Sequence, residues 1–498
     1  MSSHRLTLLC SLSALVGCTT TPAPGDYDLV IANGRVIDPA SDRDAPGHLG
    51  IRGGTIAVIS ERPLAGKDTI DATGLVVTAG FVDLHSHSVG ADGQKWQVRD
   101  GVTTSLELEE GSYPVAEWYA RLEGKSLINF GVSAGHIPAR IAVIGGAKTL
   151  DEAERIRGAG EGRSPPEWSH GPTTPERLAA ITRVIEAGID AGAIGVGFEV
   201  NESPGASREE ILELFRIAAR KRVAIYAHPR LMGVDPITGS MAGAQEILAN
   251  AAATGATTHF VHLGSSGNIY ARAIVEMIEG ARRANLDVTG EVYPYTAAST
   301  GIQTGFFDGD WQGRIGITYA DVEWPATGER LTAASFAKFR RQGGAVIIHA
   351  MKDENVELLI ARPGVIIASD AMPLPNGKGH PRGVGTFARV LGRYVREKQT
   401  VDLVTAIRKM TILPVERAQR GGAGSLSRKG RVVVGADADL TVFDPATVVD
   451  RATFDNPEQP SAGIPFVVVN GTVVVRHGEL VPGVAPGRPI KRTYPPPT

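Results

Sequence analysis

Eight short apolar runs, at residues 80–84, 103–108, 128–134, 194–200, 223–227, 258–263, 288–293 and 365–369, alternate with stretches of helical character through the middle of the chain. Runs of this length with little polar interruption suit strands buried on both faces, as in parallel sheets covered by helices. Two intervening helices announce their starts. Thr174-Pro175-Glu176 supplies a cap and a proline at the first helical position, and Ser207 followed by Glu210 has the pattern of a capping box. Eight strands with crossover helices predict a closed (β/α)₈ barrel over residues 79–424 rather than an open sheet. The dinucleotide fingerprint common in open doubly wound sheets is missing. A ninth strand-like run at residues 346–349 leaves the count open by one.

The flanks read differently. Residues 27–78 and 425–481 alternate apolar and polar positions, with Asn33-Gly34, Gly53-Gly54 and Asn470-Gly471 at expected turns. They predict one small β-sandwich domain built from both chain ends. Residues 482–498 are Pro-rich and read as a loose tail. Residues 1–17 read as a signal peptide whose apolar stretch is too short to span a bilayer. It ends in Leu15-Val16-Gly17-Cys18, which resembles a bacterial lipoprotein box. Cys18 is then the lipidation site, and residues 18–26 the tether. By that resemblance, the absence of Asp after Cys18 implies an outer-membrane anchor facing the periplasm. A formal net charge of −3 gives no basic surface for nucleic acid, so the membrane is met only through the lipid. Oligomeric state is not legible.

The chemistry gathers where the strands end. The first run leads into His85-Ser86-His87, and side chains two apart on a strand point the same way. Barrel enzymes place their sites at the C-terminal strand ends. His228 follows the fifth run, His262 closes on the sixth and Asp370 follows the eighth. One such residue alone is more often a capping or hydrogen-bonding group. Four strands ending in the order His-x-His, His, His, Asp point to a metal centre. The only cysteines, Cys10 and Cys18, lie in the leader, so no thiolate is on offer. Imidazole and carboxylate donors suit Zn²⁺, as one or two ions, with Mn²⁺, Fe²⁺ or Co²⁺ as alternatives.

The same series resembles the amidohydrolase superfamily, and within it the D-aminoacylase (N-acyl-D-amino-acid deacylase) family. Further matching pieces are Gly101-Val102-Thr103-Thr104, Gly135-His136-Ile137-Pro138-Ala139-Arg140, Glu291-Val292-Tyr293-Pro294-Tyr295, Ser369-Asp370-Ala371-Met372-Pro373 and His380-Pro381-Arg382. The resemblance implies that His85, His87, His228 and His262 are metal ligands, and that Asp370 is both ligand and catalytic acid/base. A bridging ligand is implied just after the second strand, where the best-known members have Cys. Counted from Gly101-Val102-Thr103-Thr104 to Gly111, the counterpart here is Glu110, with Glu107 and Glu109 as close alternatives. For an N-acyl amino acid, Arg382 would grip the α-carboxylate, helped by Tyr293 or Tyr295, with His136 near the third strand end.

The activity expected is hydrolysis of the amide bond of N-acyl-D-amino acids by metal-activated water, with Asp370 moving the proton. Two alternatives stay open. One is a dipeptidase or cyclic-amide hydrolase of the same superfamily; the other is a non-catalytic, lipid-anchored binding protein.

Overall fold

All eight runs form strands in the structure, a computed structural model that describes residues 27–158 and 166–493. They are β1 (Phe81–Asp83), β2 (Val102–Ser112), β3 (Asn129–Gly135), β4 (Val196–Glu199), β5 (Ile225–His228), β6 (Thr258–Phe260), β7 (Val288–Val292) and β8 (Val365–Ile367). Each pairs in parallel with the next. The ring closes just beyond β1 and β8. There the Asp370 N–H donates to the His85 carbonyl and the His87 N–H to the Ala371 carbonyl, both at 2.8 Å. The predicted (β/α)₈ barrel is therefore present.

Alternation within a strand separates two cores. Val365 and Ile367 join the large cluster that includes Ile181, Leu214, Ile247 and Ile274 of the surrounding helices. Ile366 between them joins Val82, Leu106, Ile194, Tyr226 and Val261 in a separate cluster, which fills the inside of the ring. The barrel is thus packed below its C-terminal mouth, and a site has room only at the top.

The helix starts behave as read, with one difference. Thr174 caps Pro175–Asp190 by accepting the Arg177 N–H at 3.3 Å. Ser207 caps Arg208–Lys221 by accepting the Glu210 N–H at 3.0 Å. The Glu210 carboxylate does not return to Ser207. It turns to buried Arg140 at 2.8 Å and His136 at 2.6 Å, because an otherwise unpaired buried guanidinium is the stronger demand.

The ninth run is no barrel strand. Ala345–Ile348 pairs antiparallel with Ala298–Gly301 and Val322–Trp324 in a separate four-stranded sheet, inserted between β7 and β8. Phe306, Phe307, Trp311, Trp324, Phe336 and Phe339 give this insertion its own aromatic core.

Both chain ends meet in one nine-stranded sheet, joined where Val76–Ala79 pairs antiparallel with Leu440–Phe443. The sheet folds over Ile31, Leu49, Ile56, Val77, Leu440 and Val468. Gly53-Gly54 and Asn470-Gly471 form the expected tight turns, with φ positive at all four residues. Asn33-Gly34 does not turn the chain: it is a bulge inside the continuous strand Tyr27–Asp38.

The Pro-rich segment is not loose over residues 482–493. Gly487, Arg488 and Ile490 exchange backbone hydrogen bonds with Ser126 and Phe130 at the start of β3, and Ile490 is buried in the inner core. The leader with Cys10 and Cys18, the tether and residues 494–498 lie outside the described residues. No described helix is long and apolar enough to cross a membrane.

Candidate metal centre and substrate cavity

Four imidazoles and two carboxylates converge at the barrel mouth. His85 and His87 Nε2 lie 3.1 Å apart, and both face Glu109 Oε2, at 2.9 and 3.2 Å, and Asp370 Oδ1, at 3.5 and 3.4 Å. The second oxygen of Glu109 lies 2.9 Å from His262 Nε2, and the His228 and His262 rings are 4.7 Å apart. Three donor groups result, each with its donor atoms within 4.8 Å of one another: His85/His87/Glu109/Asp370, Glu109/His228/His262 and, beside them, His87/Glu107/Glu110. Glu109 belongs to the first two.

The other edge of every imidazole is held by an oxygen. His85 Nδ1 meets Glu291 at 2.5 Å, His87 Nδ1 meets Glu107 at 2.9 Å, His228 Nδ1 meets the Pro229 carbonyl at 3.0 Å and His262 Nδ1 meets Ser265 Oγ at 2.9 Å. Such partners fix the ring and leave Nε2 as the free donor, as around bound metals. Glu291 is itself anchored by His259 at 2.9 Å, which leans on Thr289 at 2.7 Å. Beneath them, Asp83 accepts the His85 and Ser369 N–H groups at 3.1 and 3.0 Å and pairs with the Ser369 hydroxyl, tying the ends of β1 and β8 together.

The charges fit a cation. Burial opposes protonation of His85, yet Glu109, Asp370 and Glu291 carry its pKa well above the ordinary imidazole value; burial and Glu107 stand in the same relation at His87. Burial would raise Asp370, but Arg382 and His85 hold it below the ordinary carboxylate value. Close-packed nitrogens facing shared carboxylate oxygens demand positive charge between them. A divalent ion with N and O ligands meets that demand.

Two metal-site residues sit on backbone that side chains rarely adopt. His262 has φ 27° and Asp370 φ 53°. Such strain persists only where surrounding structure enforces it. At Asp370 the enforcement is the closing hydrogen bond to His85.

The bridging position falls one residue earlier than counted. Glu109, not Glu110, joins the first two groups, while Glu110 belongs only to the third, with His87 and Glu107. Glu107 pairs with Val132 but Ser112 pairs with Ala134, so β2 carries extra residues against β3 exactly where the carboxylates lie. This slip, which residue counting does not reveal, turns Glu109 inward. Glu110 instead binds Arg157 at 2.5 Å and stays 3.8 Å from His87.

A cavity of about 430 Å³ opens over the site, lined by His87, Glu109, His228, His262, Tyr293, Asp370 and Arg382 among others. Arg382 is buried, donates to Asp370 Oδ1 at 2.8 Å and lies 4.8 Å from the Tyr293 ring centroid. Its Nε and Nη1 have no partner among the described residues. Burial pushes the Tyr293 phenol up to about 12, so it remains a hydroxyl at neutral pH. The other two expected substrate contacts lie elsewhere. Tyr295 does not line the cavity; it packs against His380 and Arg389. His136 is fully buried against Glu210, a structural pair behind the third strand end. Glu291 escaped the sequence reading as a functional residue, although a charge inside an otherwise buried strand needs a partner and was its signal.

Comparison with known proteins agrees with this geometry. A model of the Amidohydrolase family matches residues 172–475. The N-acyl-D-glutamate deacylase of Alcaligenes xylosoxydans xylosoxydans is 30% identical, over 93% of this chain and 96% of its own. The D-aminoacylase of the same organism is also 30% identical, over 94% and 98%. Among solved structures, the N-acyl-D-glutamate deacylase from Bordetella bronchiseptica, complexed with zinc and a phosphonate inhibitor, is 27% identical with a TM-score of 0.77, covering 94% of this chain and all of that one. With the barrel, the composite β-domain and the ordered donor residues in place, this chain belongs to the amidohydrolase family, in its D-aminoacylase branch.

Proposed function

We propose that this protein is a metal-dependent deacylase that hydrolyses the amide bond of N-acyl-D-amino acids. The observation that carries this reading is the single cluster in which Glu109 spans two donor groups while Asp370 and Arg382 stand side by side at the cavity wall. The relatives' names support the substrate class, and the phosphonate bound to the Bordetella enzyme is a mimic of the tetrahedral intermediate of its reaction.

His85, His87, Glu109 and Asp370 would hold one cation and Glu109, His228 and His262 a second, Zn²⁺ being the ion we favour. Bound there, a divalent cation supplies Lewis acidity toward the carbonyl and lowers the pKa of water. The chain's residues do the rest. Asp370 is ionised at neutral pH and accepts the proton of the attacking water. It returns that proton to the leaving amine. Arg382 offers Nε and Nη1, and Tyr293 its hydroxyl, to the α-carboxylate, which fixes the scissile amide over the donor cluster.

The test is a panel of N-acyl-D-amino acids, their L-enantiomers, dipeptides and cyclic imides, with metal content measured in parallel. Turnover of the D-acyl compounds is expected, lost on chelation and regained with Zn²⁺. Asp370→Asn is expected to lower kcat by roughly 10²- to 10⁴-fold. Turnover confined to dipeptides or cyclic imides would sink the deacylase reading.

We further propose export and lipid anchoring at Cys18, facing the periplasm from the outer membrane; the lipoprotein-like segment supports this. Cys18→Ala should abolish incorporation of a labelled fatty acid into the protein. Unchanged labelling would refute the anchor.

A further inference from the structure

A line of polar side chains ties the metal centre to the far end of the barrel. Glu291 takes His85 Nδ1 on one oxygen at 2.5 Å and His259 Nε2 on the other at 2.9 Å. The oxygen facing His85 also accepts the His262 N–H at 3.4 Å. One carboxylate thus touches a histidine from each of the two donor groups that share Glu109. His259 Nδ1 meets Thr289 Oγ1 at 2.7 Å, and Arg417 Nη1 donates to the same oxygen at 3.3 Å. Arg417 comes from the helix Ile412–Arg420, whose Ile412, Val415 and Ala418 pack into the inner core. Asp287, just before β7 at the end opposite the mouth, accepts from both Arg417 Nη atoms, at 3.1 and 2.8 Å. His259, Glu291 and Arg417 are buried.

The proton positions along this line follow from its Arg417 end. A guanidinium can only donate, so Thr289 Oγ1 accepts from it. The Thr289 hydroxyl then has His259 Nδ1 as its acceptor. Burial holds the His259 imidazole below its ordinary value, so the ring is neutral, with its one proton on Nε2. That proton is donated to Glu291. The other tautomer would set a bare nitrogen against a buried carboxylate, leaving both without a donor. The remaining Glu291 oxygen accepts the His85 Nδ1–H, which leaves the His85 Nε2 lone pair for the donor cluster.

We infer that Thr289 and His259, with Arg417 as their fixed end, are positioning residues: they set one tautomer through the barrel core and, through Glu291, hold His85 and His262 ready for a cation. The inference rests on the metal centre of the deacylase reading and extends it to residues that touch neither metal nor substrate.

The test is Zn²⁺ affinity of the full chain, measured by competition with a chromogenic chelator. His259→Phe removes the donor to Glu291 and should weaken zinc binding by roughly 10- to 100-fold. His259→Gln, which keeps an N–H donor, should retain most of the affinity. Thr289→Val keeps the shape and removes only the hydroxyl, and should weaken binding severalfold. Thr289→Ser keeps the hydroxyl and should bind as the natural protein does. A role in packing alone would reverse that order, since valine fills the site better than serine. Heteronuclear NMR of the histidine ring nitrogens should find His259 protonated on Nε2. Unchanged affinity in the Phe and Val variants, a serine variant as weak as the valine one, or a proton on His259 Nδ1 would each overturn the inference and leave the deacylase reading intact. A natural protein that binds no Zn²⁺ would instead remove the metal centre, and the inference with it.

Discussion

Glu109 and Glu110 are neighbours with the same chemistry and opposite situations. Both Glu109 oxygens face imidazole nitrogens at 2.9 Å, whereas Glu110 is drawn to Arg157. Burial would raise the Glu109 carboxyl, yet His85 and His262 hold it well below the ordinary value; burial raises Glu110, only partly countered by Arg157. Glu109→Gln should therefore cost more than about a hundredfold in kcat/KM together with bound metal, since even outer-shell partners of a metal cost up to about that much. Glu110→Gln should retain its metal and lose far less. Elemental analysis beside steady-state kinetics separates the two, and equal losses would return the bridging role to Glu110. Strain belongs at this scale as well. The positive φ of His262 and Asp370 is visible only once the strand ends are in place, because neither residue type announces it.

At the scale of elements, the start of helix Arg208–Lys221 does two tasks. Ser207 caps it, while Glu210 binds Arg140 and His136 in a fully buried cluster. Burial alone would raise the Glu210 carboxyl, but His136 and Arg140 outweigh it and hold it at about 2. A carboxyl lowered on folding stabilises the protein above its unfolded value of 4.5, and that contribution is lost as pH falls toward about 2. Glu210→Gln should destabilise by about 3–5 kcal/mol at pH 7, because Arg140 is left as a buried unpaired charge. Its urea midpoint should also fall less steeply with acid than that of the natural protein. Parallel acid limbs in the two proteins would refute the assignment. The capping pattern was legible in the sequence; the diversion of Glu210 was not, since Arg140 comes from a distant helix.

For the molecule as a whole, the barrel and the β-domain are not independent. Ile37, Val76, Phe443, Val467 and Val475 of the β-domain share one buried cluster with the barrel's outer core. A buried polar network also crosses the boundary: Lys429 Nζ donates to Asp439 at 2.6 Å, Asn129 donates to Asp439 at 3.1 Å, and Asn470 donates to Asn129 at 2.8 Å. Residues 79–424 expressed alone should expose that apolar face and fail to give a cooperative urea transition. The full chain should unfold with both parts together. A cooperative transition from the isolated barrel would show that the two units are separable.

Strand and helix periods, the turn pairs Gly53-Gly54 and Asn470-Gly471, and the strand-end residues His85, His87, His228, His262 and Asp370 were set by local sequence, because short-range pattern decides which way a side chain leaves the backbone. Tertiary structure alone decided what depends on non-local partners. It chose Glu109 over Glu110 through a register slip against β3. It sent residues 345–348 into the inserted sheet and pinned the segment around Ile490 beside the start of β3. It withdrew His136 and Tyr295 from the cavity. In each case the deciding contact joins residues far apart in sequence, and a buried charge or an apolar face settles on whichever partner the fold brings within reach.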